Sequence, residues 1–483
     1  MEKDKILENV LQEFRALAAI PRPSGHEKAV SDYLKAHLQK MGLTVVQDEK
    51  NNIIADLPAV PGKENVPRVI LQGHMDMVCV AAPGVSYDPL RDPIELVVRD
   101  GILSAEGTSL GADDGIGVAI ILHVLSHAEE HGPLRAIFTV DEERGMTGAI
   151  HLNKKYLEDA AYMINCDSEK LDELCVGCAG GVDLTFSRTM KLMDPEGKKA
   201  WKLSVNGLAG GHSGEAAGAG RANAIRLLAL CFSALSEAGV SFSLVSFTGG
   251  KAKNAIAAEA EAIFLSETAE EEELRAIFAE KREIFRHTYN TADPDIEVTL
   301  ESASLPKKSF AAEDAADLLR LLRVFHTGVY QMSASMPGLV ETSANLGMVN
   351  MEGSEVEISF YPRSNVEEKL HDFCRMAKDL AELTGFALHI GTIAPAWDED
   401  RDNPLADTIV ELFARQMEKP MKVETIHAGL ECGWFYRKNP RMKFVSVGVT
   451  THDIHSPKES LELSTVAPLA KLLLSTVKKL AER

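Results

Sequence analysis

The stretch Val69-Ile70-Leu71-Gln72-Gly73-His74-Met75-Asp76-Met77-Val78 decides how the rest of the chain is read. Its apolar run predicts a strand buried on both faces, as in a parallel sheet covered by helices. Along a strand, side chains two apart share a face, so His74 and Asp76 are expected to point the same way. An imidazole that binds a metal through one nitrogen usually donates its other N–H to a carboxylate, which sets the tautomer. His-x-Asp at the mouth of a buried strand therefore offers a ligand and its orienting acid together. An isolated pair of this kind is more often a surface or capping pair. The acidic clusters that follow raise the metal reading above that alternative.

Working outward, the segment 5–18 carries apolar residues at helical spacing, ended by Pro21 and Pro23. Ser24-Gly25-His26-Glu27 reads as a capping box opening a second helix to about Met41. Strands are predicted at 43–46 and 52–57, with Asn51-Asn52 as the turn. Gly111-Ala112-Asp113-Asp114-Gly115-Ile116-Gly117 leads into a helix over about 118–127. Two more buried strands follow, 134–140 ending in Asp141-Glu142-Glu143, and 162–166 ending in Asp167. Strands alternating with helices, with acids at the strand ends, predict an α/β sheet whose site lies at its carboxyl edge.

After about residue 185 the pattern changes. A strand at 201–205 and the glycine-rich 207–214 precede helical patterns at 222–237 and 271–285. Strands follow near 257–265 and 355–361, then a helix at 366–383. From about 390 strand–helix alternation returns, through a strand at 443–449 to a terminal helix. The simplest organisation is a catalytic domain over 1–185 and 391–483, split by an α+β insertion over 186–390, which is an ordinary domain size.

Composition narrows the function classes. Across 483 residues, 45% hydrophobic and 25% charged content is ordinary for a soluble enzyme with more than one core. Lys plus Arg is 51 against 72 Asp plus Glu, a net charge of −21. That balance argues against nucleic acid or an anionic membrane as a partner. Part of the excess sits in Glu270-Glu271-Glu272-Glu273, read as a solvated helix face. Met1-Glu2-Lys3-Asp4-Lys5 runs straight into an amphipathic pattern, and no apolar stretch reaches membrane-spanning length, so a cytoplasmic location is expected. The 7 cysteines are scattered; Cys175 and Cys178 form the one close pair, and buried free thiols are expected.

The chemistry gathers in five clusters: His74/Asp76, Asp113/Asp114, Glu142/Glu143, Asp167, and His452-Asp453-Ile454-His455-Ser456-Pro457. Oxygen ligands mixed with imidazole suit zinc, manganese or cobalt rather than calcium. Carboxylates converging on one sheet edge repel unless cations neutralise them, and a pair of ions about 3.5–4 Å apart does so with room for a bridging carboxylate and a water. Of Glu142 and Glu143, one can ligate while the other faces that water as a base. Asp114 reads as a cap for the following helix.

His74-Met75-Asp76, Gly111-Ala112-Asp113-Asp114-Gly115, Glu142-Glu143-x-Gly145-Met146-x-Gly148-Ala149, Asp167 and Gly210-Gly211-His212-Ser213-Gly214 together resemble the M20 family of two-metal peptidases. Gly177-Cys178-Ala179-Gly180-Gly181, His427-Ala428-Gly429-Leu430-Glu431-Cys432-Gly433 and His455-Ser456-Pro457 are similar to its Xaa-His dipeptidase, or carnosinase-like, branch. The resemblance runs along essentially the whole chain. It implies a split α/β zinc-peptidase catalytic domain with an inserted lid, and two divalent ions, Zn2+ first and Mn2+ or Co2+ as alternatives. It implies His74 and Asp167 on one ion, Glu143 and His455 on the other, and Asp113 bridging. His452 competes with His455 as the last ligand; the Ser-Pro that follows favours His455. By the same resemblance Asp76 orients His74, Glu142 is the general base, and His212 stabilises the oxyanion. Asn254 and Arg363 hold the substrate's carboxylate, for which an Arg fork is suited. His427 and Glu431 either meet the substrate's amino group or brace the site. The implied substrates are small unblocked dipeptides, including Xaa-His, and a homodimer is left open. The rivals are an N-acyl amino acid deacylase or carboxypeptidase of the same family, and a metal-binding relative without turnover.

Overall fold

The computed structural model describes residues 2–195, 199–266, 270–334, 336–398 and 402–482. It divides into two compact units, one of residues 1–178, 397–425 and 430–483, the other of residues 179–396 and 426–429.

The first unit is built on an eight-stranded mixed sheet. Its order is Thr44–Gln47, Ile53–Leu57, Leu134–Thr139, Arg68–His74, Ala160–Ser168, Lys443–Gly448, Glu173–Cys178, Lys422–Ile426. Arg68–His74 pairs in parallel with Leu134–Thr139 and with Ala160–Ser168, which pairs in parallel with Lys443–Gly448. Val69, Ile70 and Leu71 are all but inaccessible, each contributing roughly 1.5–3 kcal/mol by burial. The helix Ala112–His127 packs on this strand, and its apolar residues from Ile116 to Leu125 are buried on every side, as a covered α/β sheet requires. Four neighbouring parallel strands bring their carboxyl ends to one edge. That alone places His74, the turn after Thr139, Asp167 and the loop after Gly448 together. A small sheet, Thr451–His452, Ser460–Glu462, Ile102–Ala105 and Leu96–Arg99, links the 453–459 turn to the segment leading to Asp113.

The second unit holds a ten-stranded antiparallel sheet. Its main path is Glu297–Ala303, Lys199–Asn206, Ala260–Ser266, Phe242–Gly249, Val340–Glu352, Glu355–Ser364, Leu184–Thr189, Ala387–Ile390. Along Lys199–Asn206, Trp201, Leu203 and Val205 are buried while Lys202 and Ser204 are half-exposed, the alternation of a sheet wet on one side. Helices Ala224–Glu237, Ala312–Val324 and Glu367–Thr384 pack on it around Phe186, Phe232, Phe264, Phe325 and Phe360. The Glu270–Glu273 run opens the helix Glu271–Thr288, where acids suit the positive end of the helix.

Several sequence expectations differ locally. The units divide at 178/179 and 396/397 rather than near 185 and 390, and residues 426–429 join the second unit, because backbone contacts there outweigh chain order. Residues 24–27 are not a capping box. The helix Lys28–Lys40 has no side-chain cap; the Ser24 hydroxyl donates to Asp76 Oδ2, and Glu27 accepts from the backbone N–H of Gly25 and Asp141. The central strand ends at His74, so Asp76 reaches its neighbour from the turn beyond. The strand Val340–Glu352 has no counterpart in the sequence pattern. It lacks clean alternation and carries a register shift between Leu346 and Met348. All seven cysteines are free and six are buried. Among the described residues no helix is long and apolar enough to cross a membrane.

Candidate metal centre

At the carboxyl edge of the first unit, His74 Nε2 lies 3.0 Å from Asp113 Oδ1 and 3.4 Å from Asp167 Oδ1. His455 Nε2 lies 3.0 Å from Asp113 Oδ2 and 2.8 Å from Glu143 Oε2. Each oxygen of Asp113 thus faces a different imidazole. Among the described residues three groups could hold an ion: His74/Asp113/Asp167, Asp113/Glu143/His455, and His74/Glu142/Glu143. The third draws two of its members from the other two. His452 turns away, its Nε2 2.8 Å from Glu462 Oε1.

Asp76 is fully buried and serves more than His74. Its Oδ1 accepts the Glu142 backbone N–H (3.1 Å), and its Oδ2 accepts the Glu143 N–H (3.2 Å) and the Ser24 hydroxyl (2.8 Å). His74 Nδ1 is 3.5 Å from Oδ1. Asp114 Oδ2 accepts the His74 backbone N–H at 3.1 Å, and Asp113 (ψ 113°) and Asp114 (ψ 28°) are themselves non-helical, so the regular helix begins after them. A Cβ on Gly73 would come 2.4 Å from that Asp114 oxygen, so glycine is needed before the histidine.

The electrostatics suit cations. Burial pushes Asp167 up to about 8 against the pull of His74, and raises Glu142 well above the carboxylate range, with Asp167, Glu143 and Glu431 adding to it. Burial would lower both imidazoles, yet the surrounding carboxylates outweigh it, carrying His455 to about 11 and His74 well above its ordinary value. Burial would likewise raise Asp113, but His455 and His74 hold it far below the usual range. Buried acids that can ionise only beside protonated imidazoles form a donor set that divalent cations would stabilise, since an ion displaces those protons. The carboxylate and imidazole donors fit zinc, manganese or cobalt.

The second unit gathers its own polar group. Buried Arg363 stacks over Tyr361 (4.7 Å) and approaches Ser213 Oγ (3.5 Å) and His212 Nε2 (3.4 Å). Asn254 holds the Ser213 N–H through its backbone carbonyl (2.8 Å), with its side chain exposed. His427 Nε2 lies 2.8 Å from Ser343 Oγ, and burial, then Arg363, lowers its pKa to about 4. Glu431 belongs to the first unit, so the motif that pairs it with His427 is divided between units. Glu431 Oε2 accepts from Gln72 and Thr139, both at 2.6 Å, while Oε1 is buried without a partner among the described residues; burial raises its pKa to about 7. Sequence reasoning overlooked Gln72, Thr139, Arg22 and Glu459 around this centre. An Arg between two prolines, and an acid four residues after His455, were the available signals.

Residues 70–479 match the model of the peptidase family M20/M25/M40. A cytosol non-specific dipeptidase of Escherichia coli K12 is 34% identical over 469 residues, covering 97% of this chain and 96% of the relative. The crystal structure of an aminoacylhistidine dipeptidase from Vibrio alginolyticus superposes with a TM-score of 0.87 at 32% identity, covering 98% of this chain and 96% of that one. Human carnosine dipeptidase 1, at 14% identity and a TM-score of 0.52 over 100% of this chain and 98% of its own, shares the fold.

Proposed function

The chain belongs to the peptidase family M20/M25/M40, and from that membership we propose that it hydrolyses the peptide bond of unblocked dipeptides, Xaa-His among them. Relatives that match nearly end to end, one named a non-specific dipeptidase and one an aminoacylhistidine dipeptidase, support a dipeptide substrate in which histidine is accepted rather than required. The cytosolic relative supports a cytoplasmic location. The observation that carries the reading is Asp113, whose two oxygens each face one imidazole of a separate donor group.

We assign His74 and Asp167 to one divalent ion, Glu143 and His455 to the other, and Asp113 to both, with zinc the first choice. Bound there, such ions acidify water and polarise a carbonyl. Glu142 remains the unshared acid. As the carboxylate next to Glu143 that neither ion takes, it suits a group that takes a proton from the attacking water and returns it to the departing amine. Asp76 holds the Glu142 and Glu143 backbone N–H groups, which keeps base and ligand in fixed relation. In the second unit, Arg363 suits the substrate's carboxylate, Asn254 offers an exposed amide, and His212 is a donor for a carbonyl oxygen gaining charge.

The test is hydrolysis of β-Ala-His, Ala-His, Gly-Leu, a tripeptide and N-acetyl-Ala-His after loading with zinc or manganese. Cleavage of the free dipeptides alone is expected; cleavage of the acetylated compound would move the enzyme to the deacylase or carboxypeptidase class. Glu142→Gln should keep its metal and lose about 10²–10⁴-fold in kcat, the usual worth of a general base. Full activity in that variant would remove Glu142 from the mechanism.

A further inference from the structure

One buried carboxylate grips the backbone of the loop that presents Asp113. Glu459, 2% exposed, accepts the N–H groups of Leu110 and Gly111 on Oε2 (2.8 and 2.9 Å) and those of Ala112 and Asp113 on Oε1 (2.8 and 3.3 Å). Consecutive N–H groups converging on one anion form a nest. Arg22, also 2% exposed, holds the same loop through its carbonyls. It donates to the Gly111 carbonyl (2.5 Å) and to those of Met75 and Asp76 (both 2.9 Å). The fit is close, since a Cβ on Gly111 would lie 2.6 Å from both Arg22 Nη2 and Met77 Sδ.

The link continues to the other ligands. The Glu459 N–H donates to the Ser456 carbonyl (3.1 Å), and the Ser456 hydroxyl donates to the Asp453 carbonyl (2.7 Å). The turn that carries His455 is thereby internally braced, and a displacement of Glu459 moves it. Arg22 ties the Asp113 loop to the segment just after His74. A carboxylate and a guanidinium, both bonded to backbone, thus join the chain segments bearing His74, Asp113 and His455. Among the described residues, their side-chain hydrogen bonds run to backbone.

We propose that Glu459 and Arg22 are positioning residues that set the spacing of Asp113 from His455 and His74, and so set the affinity and geometry of the paired-ion centre. This rests on the reading of those residues as metal ligands. A carboxylate is the acceptor this loop requires, because the amide of a glutamine would turn an N–H donor toward two of the four N–H groups. Outer partners of metal ligands typically govern affinity by 10–100-fold.

The experiment compares wild type, Glu459→Gln, Glu459→Asp and Arg22→Lys, with Arg135→Gln as a control that removes a buried guanidinium from its ion pairs with the partly exposed Asp56 and Asp159 elsewhere in the same unit. Metal-free proteins are checked by circular dichroism and urea unfolding. Zinc is then titrated against a competing chelator, and the visible spectrum of the cobalt-loaded protein reports ligand geometry. Glu459→Gln should weaken the looser ion by about 10–100-fold and change the cobalt spectrum, Glu459→Asp and Arg22→Lys should do so less, and Arg135→Gln should lose stability without either effect. If Glu459→Gln does not fold, Glu459→Asp with wild-type zinc affinity overturns the proposal. Wild-type affinity and spectrum in Glu459→Gln, or equal weakening in Arg135→Gln, also overturns it. Wild type that binds no divalent ion would instead overturn the function reading, and this inference with it.

Discussion

Replacing Asp76 by Asn tests how the centre is held. The carboxylate meets the N–H groups of Glu142 and Glu143, the Ser24 hydroxyl, and His74 Nδ1 at 3.5 Å. If the Asn oxygen takes the place of Oδ2, it keeps Ser24 and Glu143. The amide nitrogen then faces the Glu142 N–H, donor against donor, and can only donate to His74 Nδ1. Two consequences follow. One buried N–H loses its acceptor, which with the lost charge costs about 2–4 kcal/mol of stability. The imidazole is also pushed to the tautomer whose Nε2 carries the proton, and Nε2 is the atom facing Asp113 and Asp167. Loss of such an orienting acid weakens metal binding by about 10–100-fold. Urea unfolding of the metal-free protein at pH 7 measures the first effect, and zinc competition the second. Ser24→Ala calibrates both, since removing one hydroxyl donor should cost about 1 kcal/mol and leave the tautomer intact. Asp76→Asn within about 0.5 kcal/mol and threefold of wild type would refute the account, because each predicted effect is several times larger than that.

Two further outcomes are open to direct measurement. His455→Ala should lower zinc stoichiometry by one ion per chain, whereas His452→Ala, which loses only its contact with Glu462, should bind as wild type; the reverse pattern would put His452 in the centre. His427 titrates near 4 when folded against an ordinary 6.5, so the unfolded chain takes up its proton first as pH falls. Its contribution to stability is therefore full above about pH 6.5 and declines toward pH 4, by up to about 3 kcal/mol. The urea midpoint of wild type relative to His427→Gln should fall over that interval, and a pH-independent difference would show that His427 is not held neutral.

How far the chain was legible depends on how local the signal was. The strand at Val69–Leu71, the acids after Thr139 and Asp167 at a strand end could be read from hydrophobic runs, because burial on both faces writes itself as unbroken apolar sequence. That the candidate ligand residues share an edge followed from expecting parallel strands. The long strand Val340–Glu352 was hidden because a bulge breaks the alternation on which strand reading relies. Ser24 and Glu27 carry the spacing of a helix cap, and only the fold shows that Asp76, Gly25 and Asp141 take their hydrogen bonds instead. Residue types and order by themselves determined the fold class and the chemistry available, since imidazoles and carboxylates at strand ends admit few uses. Tertiary structure decided which donor meets which acceptor: His455 rather than His452 beside Glu143, Asp76 beneath both glutamates, Glu459 around the Asp113 loop. Those pairings join residues tens to hundreds of positions apart, and nothing in local sequence encodes a distance that only packing sets.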